Sequence, residues 1–475
     1  MLIRSLDQTE KRYFTVYAKR HAIGGKNIYL TLFEAIAKGE AVDGDKIVPK
    51  EQLASHKHYL FQMILKAMRG YNSGKDVENE MREILSDIHF LESKRMFPPC
   101  LKLIRKGQRL GELHDRFTEL LSLLDIERRL VKLMQPDKLL QEMDRLEHVR
   151  KDIIDRMTVH YAYIELYDRL FATLRKQLRN DRQTTVQYIQ ELLAGPLLSN
   201  PNLPSSFHSK SYYLLGNAFC YQLLEQYSQS KKFHVENIEL WDQNPHRIKS
   251  QPYQHQRALS NYLGACQMDD DFSAYPRILA MMKDFEGTTV EERAEHFTNY
   301  HFYSFNYHMN VWQFEEAVAF APEIDLGLQK YGAIIPDSRR LVFIYNLMVM
   351  FFFLNKPKES LKWLLKLTNG EKSEVRQDAQ RAARLFLLVL HYQLGNLDLY
   401  DHLFPSVQRY LSQKGINEFE QKLLEFLKVL YRTDGSSWPR PAAEALVTSL
   451  EALSKANSDA HFPGIREVII WLKAK

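Results

Sequence analysis

From Arg340 to Leu354 the chain reads RLVFIYNLMVMFFFL, apolar nearly all round a helical projection. Such a helix must be buried on several sides. Asn355 follows it and can close it in the left-handed conformation, while Pro357 suits the first turn of a second helix. That second helix sets Leu361, Leu364 and Leu365 on one face and Lys358, Lys362 and Lys366 on the other. One such hairpin cannot bury its own apolar surface, so it requires a neighbour on each side. The pattern predicts an all-α chain built from copies of this unit, with essentially no sheet.

Taken from the start, Ser5 and Gln8 have the spacing of a capping box ahead of a helix reaching about His21. Gly24 and Gly25 break it, and further helices are predicted over about 27–38 and 49–70. Pro98 and Pro99 fit only a first helical turn, so a helix begins beside Phe97. Beyond it no breaker other than Gly107 and Gly111 intervenes before Pro136. From Leu139 to Leu178 apolar residues recur at alternating steps of four and three, which predicts a helix of roughly forty residues, about 60 Å long. The two runs are expected to form a long antiparallel hairpin turning at Gln135-Pro136. Arg150 and His160 lie on its seam and are expected where it frays, not in a catalytic role. Gly195, Pro196, Pro201 and Pro204 mark 195–206 as a linker. The expected organisation is an N-terminal helical cap over 1–75, helical repeats with the long hairpin over 76–194, the linker, and stacked repeats with a C-terminal capping helix over 207–475.

The starts of the second helices recur. They place Ser230, Tyr275, Ala317, Ser360 and Tyr400 at steps of 45, 42, 43 and 40 residues. A period of this size is the sign of a helical solenoid. Gln313-Phe314-Glu315-Glu316-Ala317, with Phe305 and His308 upstream, resembles the tetratricopeptide (TPR) repeat. Ala218, Tyr221, Tyr227 and Ser230 follow the same pattern, as do Ile88, Leu91, Phe97 and Cys100. Tyr275 and Tyr400 stand where that repeat has a small residue, and the period exceeds its usual length of about 34. The resemblance implies a TPR-like α-solenoid and does not specify a ligand. The opening segment, with Glu10-Lys11-Arg12-Tyr13-Phe14 and Gly25-Lys26-Asn27, is similar to an uncharacterised family of bacterial cytosolic proteins.

Composition narrows the chemistry. A formal charge of +5 over 475 residues is too mild to imply nucleic acid. Cys100, Cys220 and Cys266 are widely spaced in apolar contexts, which predicts buried reduced thiols. The first residues lack the apolar run of a signal peptide, and no run is long enough for a membrane span, so a cytoplasmic location is expected. The stretch from His296 to His308 holds three histidines at steps of five and seven, not the four that helical metal ligation needs, so aromatic packing is expected there. Asp269-Asp270-Asp271 lacks the alternation and glycine of a calcium loop. Gly24-Gly25-Lys26 reads as a lone turn, and no phosphate loop, nucleophile elbow or Cys-x-x-Cys is present. No cofactor or metal is expected.

Two functions remain open. The first is a non-enzymatic scaffold that binds a protein or peptide on a concave face. The second is a transcriptional regulator whose residues 1–75 contact DNA and whose repeats sense a ligand, with Ser55-His56-Lys57 as the turn between helices and Lys57, Lys66, Arg69 and Lys75 nearby. In a TPR-like stack the first helix of each pair lines the concave face. That register points to Arg257, Ser260 and Gln267, then Asn299, Phe302, Asn306 and Met309, then Tyr345 and Phe352 as partner-binding residues.

Overall fold

The computed structural model describes residues 2–20, 27–39, 48–74, 76–134, 136–176, 182–368, 376–432, 438–456 and 464–475. Every regular element among them is helical, so the all-α expectation is met. The sequence-based turn at Gly24-Gly25 lies outside the described residues. The chain divides into two compact units, one of residues 1–225 and 239–250, the other of residues 226–238 and 251–475.

The first unit contains α1 (Leu2–Ser5), α2 (Gln8–Arg20), α3 (Ile28–Lys38), α4 (Leu53–Tyr71), α5 (Val77–Ser93) and α6 (Phe97–Leu113). It continues through α7 (Phe117–Met134), α8 (Leu139–Lys176), α9 (Arg182–Ala194), α10 (Pro196–Ser199) and α11 (Phe207–Leu223). The helix α12 (Tyr227–Asp242) passes from one unit to the other, and α13 (Pro245–Ser250) returns to the first. Phe14, Leu32, Phe33, Leu60 and Ile64 give α2, α3 and α4 a core of their own.

Four local expectations are corrected. The capping box ahead of α2 is made by Asp7 and Glu10. A carboxylate at each end outcompetes the Ser5 hydroxyl, which bonds the Leu2 carbonyl. Ser55, His56 and Lys57 lie inside α4 and form no turn. The run from Phe97 to Pro136 is two helices, because the chain reverses at His114-Asp115-Arg116 with Asp115 at φ 56°. The long helix α8 then packs on α7 and on α11. His160 is half-buried beside Phe117 and Tyr212, away from any frayed end.

The second unit contains α14 (Pro252–Met268), α15 (Tyr275–Lys283), α16 (Val290–Asn310), α17 (Phe314–Val318), α18 (Ala321–Tyr331) and α19 (Asp337–Phe353). It ends with α20 (Pro357–Thr368), α21 (Gln377–Gln393), α22 (Leu397–Gln413), α23 (Glu418–Arg432), α24 (Arg440–Ala456) and α25 (Ile465–Lys473). One core runs from Phe305 to Leu472, and Trp471 of α25 meets Trp438 edge-on at 5.5 Å.

The same turn recurs through both units. Arg95, Asp115, Glu225, Asp270, Trp312, Asn355 and Gly395 all have φ between 50° and 72°. The next N–H bonds a carbonyl five residues back: Met96 to Leu91, Arg116 to Gly111, Asp271 to Cys266, Gln313 to His308, Lys356 to Phe351 and Asn396 to His391. This is the Schellman closure, which satisfies helix-end carbonyls that would otherwise lack partners. Five residues after each left-handed residue stands a buried one: Cys100, Leu120, Ser230, Tyr275, Ala317, Ser360 and Tyr400. Several of these donate to a carbonyl twelve residues back. Tyr275 reaches Leu263 at 2.9 Å and Ser360 reaches Met348 at 2.8 Å, tying each second helix to the first. The donor that reaches Leu388 is Tyr431, at 3.0 Å.

Candidate functional groove

In the second unit α14, α16, α19 and the start of α21 border a groove of about 450 Å³. Its lining comprises Gln267, Phe302, Asn306, Asn310, Ser338, Arg339, Val342, Asn346 and Arg376. Asn306 is buried, and its Oδ1 accepts a hydrogen bond from Asn346 Nδ2 at 2.9 Å. Asn310 Nδ2 donates to the Asn306 carbonyl at 2.9 Å. Amides on two successive first helices are therefore joined into one polar strip. Beside it the Arg339 guanidinium lies 4.9 Å from the centre of the Phe302 ring, a cation–π contact that flattens the side chain over an apolar floor.

Among the described residues Arg339 forms no ion pair, whereas Arg376 is held by Asp378 at 2.7 Å. Burial pushes the Asp378 carboxyl up, but its bonds to Arg376 hold it below its ordinary value. The lining residues themselves include two guanidiniums and no carboxylate, so the strip has a cationic wall. Tyr345, close behind, is buried, and burial raises its phenol well above the usual range.

Of the residues expected to bind a partner, Gln267, Phe302 and Asn306 come together here. The others lie elsewhere. Arg257 is exposed 3.9 Å from Glu295, and Ser260 is buried in α14. Asn299 is half-buried on α16 outside the lining, and Met309 packs against the core. Tyr345 and Phe352 are core residues, with Phe352 edge-on to Phe386 at 5.1 Å. The groove face of α19 is Ser338, Arg339, Val342 and Asn346, a quarter-turn from the expected one. Asn346 was the available signal, as the lone amide between Leu341 and Leu354. Two of the histidines of 296–308 are hydrogen-bonded locally, His301 to the Phe297 carbonyl and Glu323 and His308 to Gln313, while the His296 ring stacks on Tyr300.

The first unit has a separate buried polar cluster that sequence reading missed. The Asp115 carboxylate accepts from the His208 N–H at 3.0 Å and contacts His208 Nδ1 at 2.7 Å and Arg247 at 3.2 Å. Arg247 also lies 4.8 Å over the Phe207 ring. Burial pushes the Asp115 carboxyl up, but the bonds from His208 and the charge of Arg247 bring it below its ordinary value. Next to it His114 is depressed to about 4 by burial and by Arg247. The cluster links the α6–α7 turn, the start of α11 and α13. No family model matches the chain, and neither does any curated protein or solved structure.

Proposed function

We propose that the chain is a non-enzymatic scaffold that holds an extended segment of a partner protein in the groove of its second unit. The observation carrying this is the Asn306–Asn346 amide strip beside the cationic face of Arg339 on Phe302. Amides offer both donors and acceptors, as an extended peptide backbone requires, and a flat guanidinium over an aromatic ring takes up an apolar or acidic side chain. The recurrent turns and the steps of 45, 42, 43 and 40 residues from Glu225 to Gly395 support a TPR-like α-solenoid as the frame. Such stacks present extended concave surfaces.

The test is selection of a random peptide display library on the immobilised full chain. Peptides should be enriched, and Arg339→Ala with Asn346→Ala should lower their affinity at least about tenfold, the loss of one good contact at 1.4 kcal/mol. Thermal stability should stay near that of the parent, since neither residue is fully buried. No enrichment, or enriched peptides that bind the variant equally well, rules out the groove as the binding face.

A further inference from the structure

The outward face of α4 is the most distinctive surface of the first unit. Leu60, Ile64 and Ala67 point into the core made with Phe14, Leu32 and Phe33. On the opposite side Ser55, His58, Gln62, Lys66 and Arg69 are all exposed. Their steps of three, four, four and three put them in one stripe along a single helix face. Phe61 lies beside it, whereas Lys57, though exposed, stands on the side of Leu60, Ile64 and Ala67. From residue 52 to residue 75 the sequence has no aspartate or glutamate. Among the described residues Lys57, Lys66 and Arg69 enter no ion pair, although ion pairs are frequent from Glu78 onward. Averaging charge over the chain conceals this local excess.

We infer that α4 docks in the major groove of duplex DNA through this stripe. Every side chain in it carries a hydrogen-bond donor suited to phosphates or base edges, with arginine matching guanine and glutamine matching adenine. Nineteen residues give a rod of about 28 Å, and the B-form major groove admits an α-helix. Other anionic partners fit less well. A-form RNA buries its base edges in a groove too narrow for a helix. A helix lying on a lipid surface must turn its apolar face outward, whereas Leu60, Ile64 and Ala67 face the core. This inference is independent of the groove in the second unit.

The test uses the full chain and a fluorescent random-sequence DNA duplex of about 30 base pairs, with anisotropy read at about 50 and 200 mM salt. Phosphate contacts by Lys66 and Arg69 would make affinity fall about 12-fold across that range. Lys66→Ala and Arg69→Ala together should weaken binding at least about tenfold and flatten the salt dependence, with the helical circular dichroism unchanged. Gln62→Ala should leave binding to the random pool unchanged and alter the sequences recovered by in vitro selection. No binding at low salt overturns the inference, as does a double variant that binds like the parent. Equal affinity for single-stranded DNA or an RNA duplex also overturns it, by showing a generic polyanion surface.

Discussion

Asp115 combines two costs that a turn residue ordinarily avoids, a left-handed backbone and a buried carboxylate. The φ of 56° is worth about 1–2 kcal/mol of strain. Its compensation is the pair of bonds to His208 and Arg247, so removing the carboxylate leaves a buried guanidinium without its counter-charge. Asp115→Ala is expected to lower unfolding free energy by about 3–5 kcal/mol in urea titrations. A loss under about 1 kcal/mol would mean that solvent reaches Arg247 and takes over the role of the carboxylate. The neighbouring imidazole sets a pH dependence. His114, and in the second unit His296, titrate at about 4 when folded against 6.5 for the free side chain, in each case chiefly through burial. Between those values the unfolded chain binds protons that the folded chain does not, so stability rises with pH through this window. Urea midpoints should therefore fall from about pH 6.5 toward pH 4, and His114→Gln should flatten that slope. An unchanged slope in the variant would assign the acid sensitivity to other groups.

At the scale of elements, one helix contact depends on the absence of a side chain. A Cβ added at Gly327 of α18 would lie 2.0 Å from the Phe297 ring of α16. Glycine to alanine within a helix ordinarily gains up to about 1 kcal/mol. Here Gly327→Ala is expected to cost about 1–3 kcal/mol, because ring and helix must separate. Phe297→Leu in the same chain should recover part of the loss, and a stabilised single variant would contradict the packing described. This contact also marks what the sequence leaves unread. The hairpin period was legible because each turn needs a left-handed residue and a buried residue five places later, as at Asn355 and Ser360. The groove face of α19 was not, because a helix apolar all round gives periodicity nothing to orient. Tyr345 and Asn346 are adjacent, and only packing sends one to the core and the other to the groove. The Asp115 cluster was less legible still, since its partner His208 lies 93 residues away and no local pattern announces the pairing.

For the molecule as a whole, the end of the second unit is a structural seal. Val468, Trp471 and Leu472 of α25 belong to the core that extends back to Phe305, and α25 packs on both α19 and α24. Removing residues 465–475 should expose that core, lower the melting temperature by several degrees and shift the tryptophan emission of Trp438 to the red. A truncated chain with unchanged melting and emission would show that α25 contributes little. The turn shared by both units has a kinetic consequence. Each closes through a bond spanning only five residues, and Tyr275 and Ser360 pin their helices twelve residues back, so much of the ordering is local in sequence. Chains dominated by such short loops lose little entropy at each closure and fold quickly for their length. Hairpins organised this way open as separate cooperative blocks in native-state hydrogen exchange. The amides around Met348 and Ser360 would then exchange together, out of step with those around Leu263 and Tyr275.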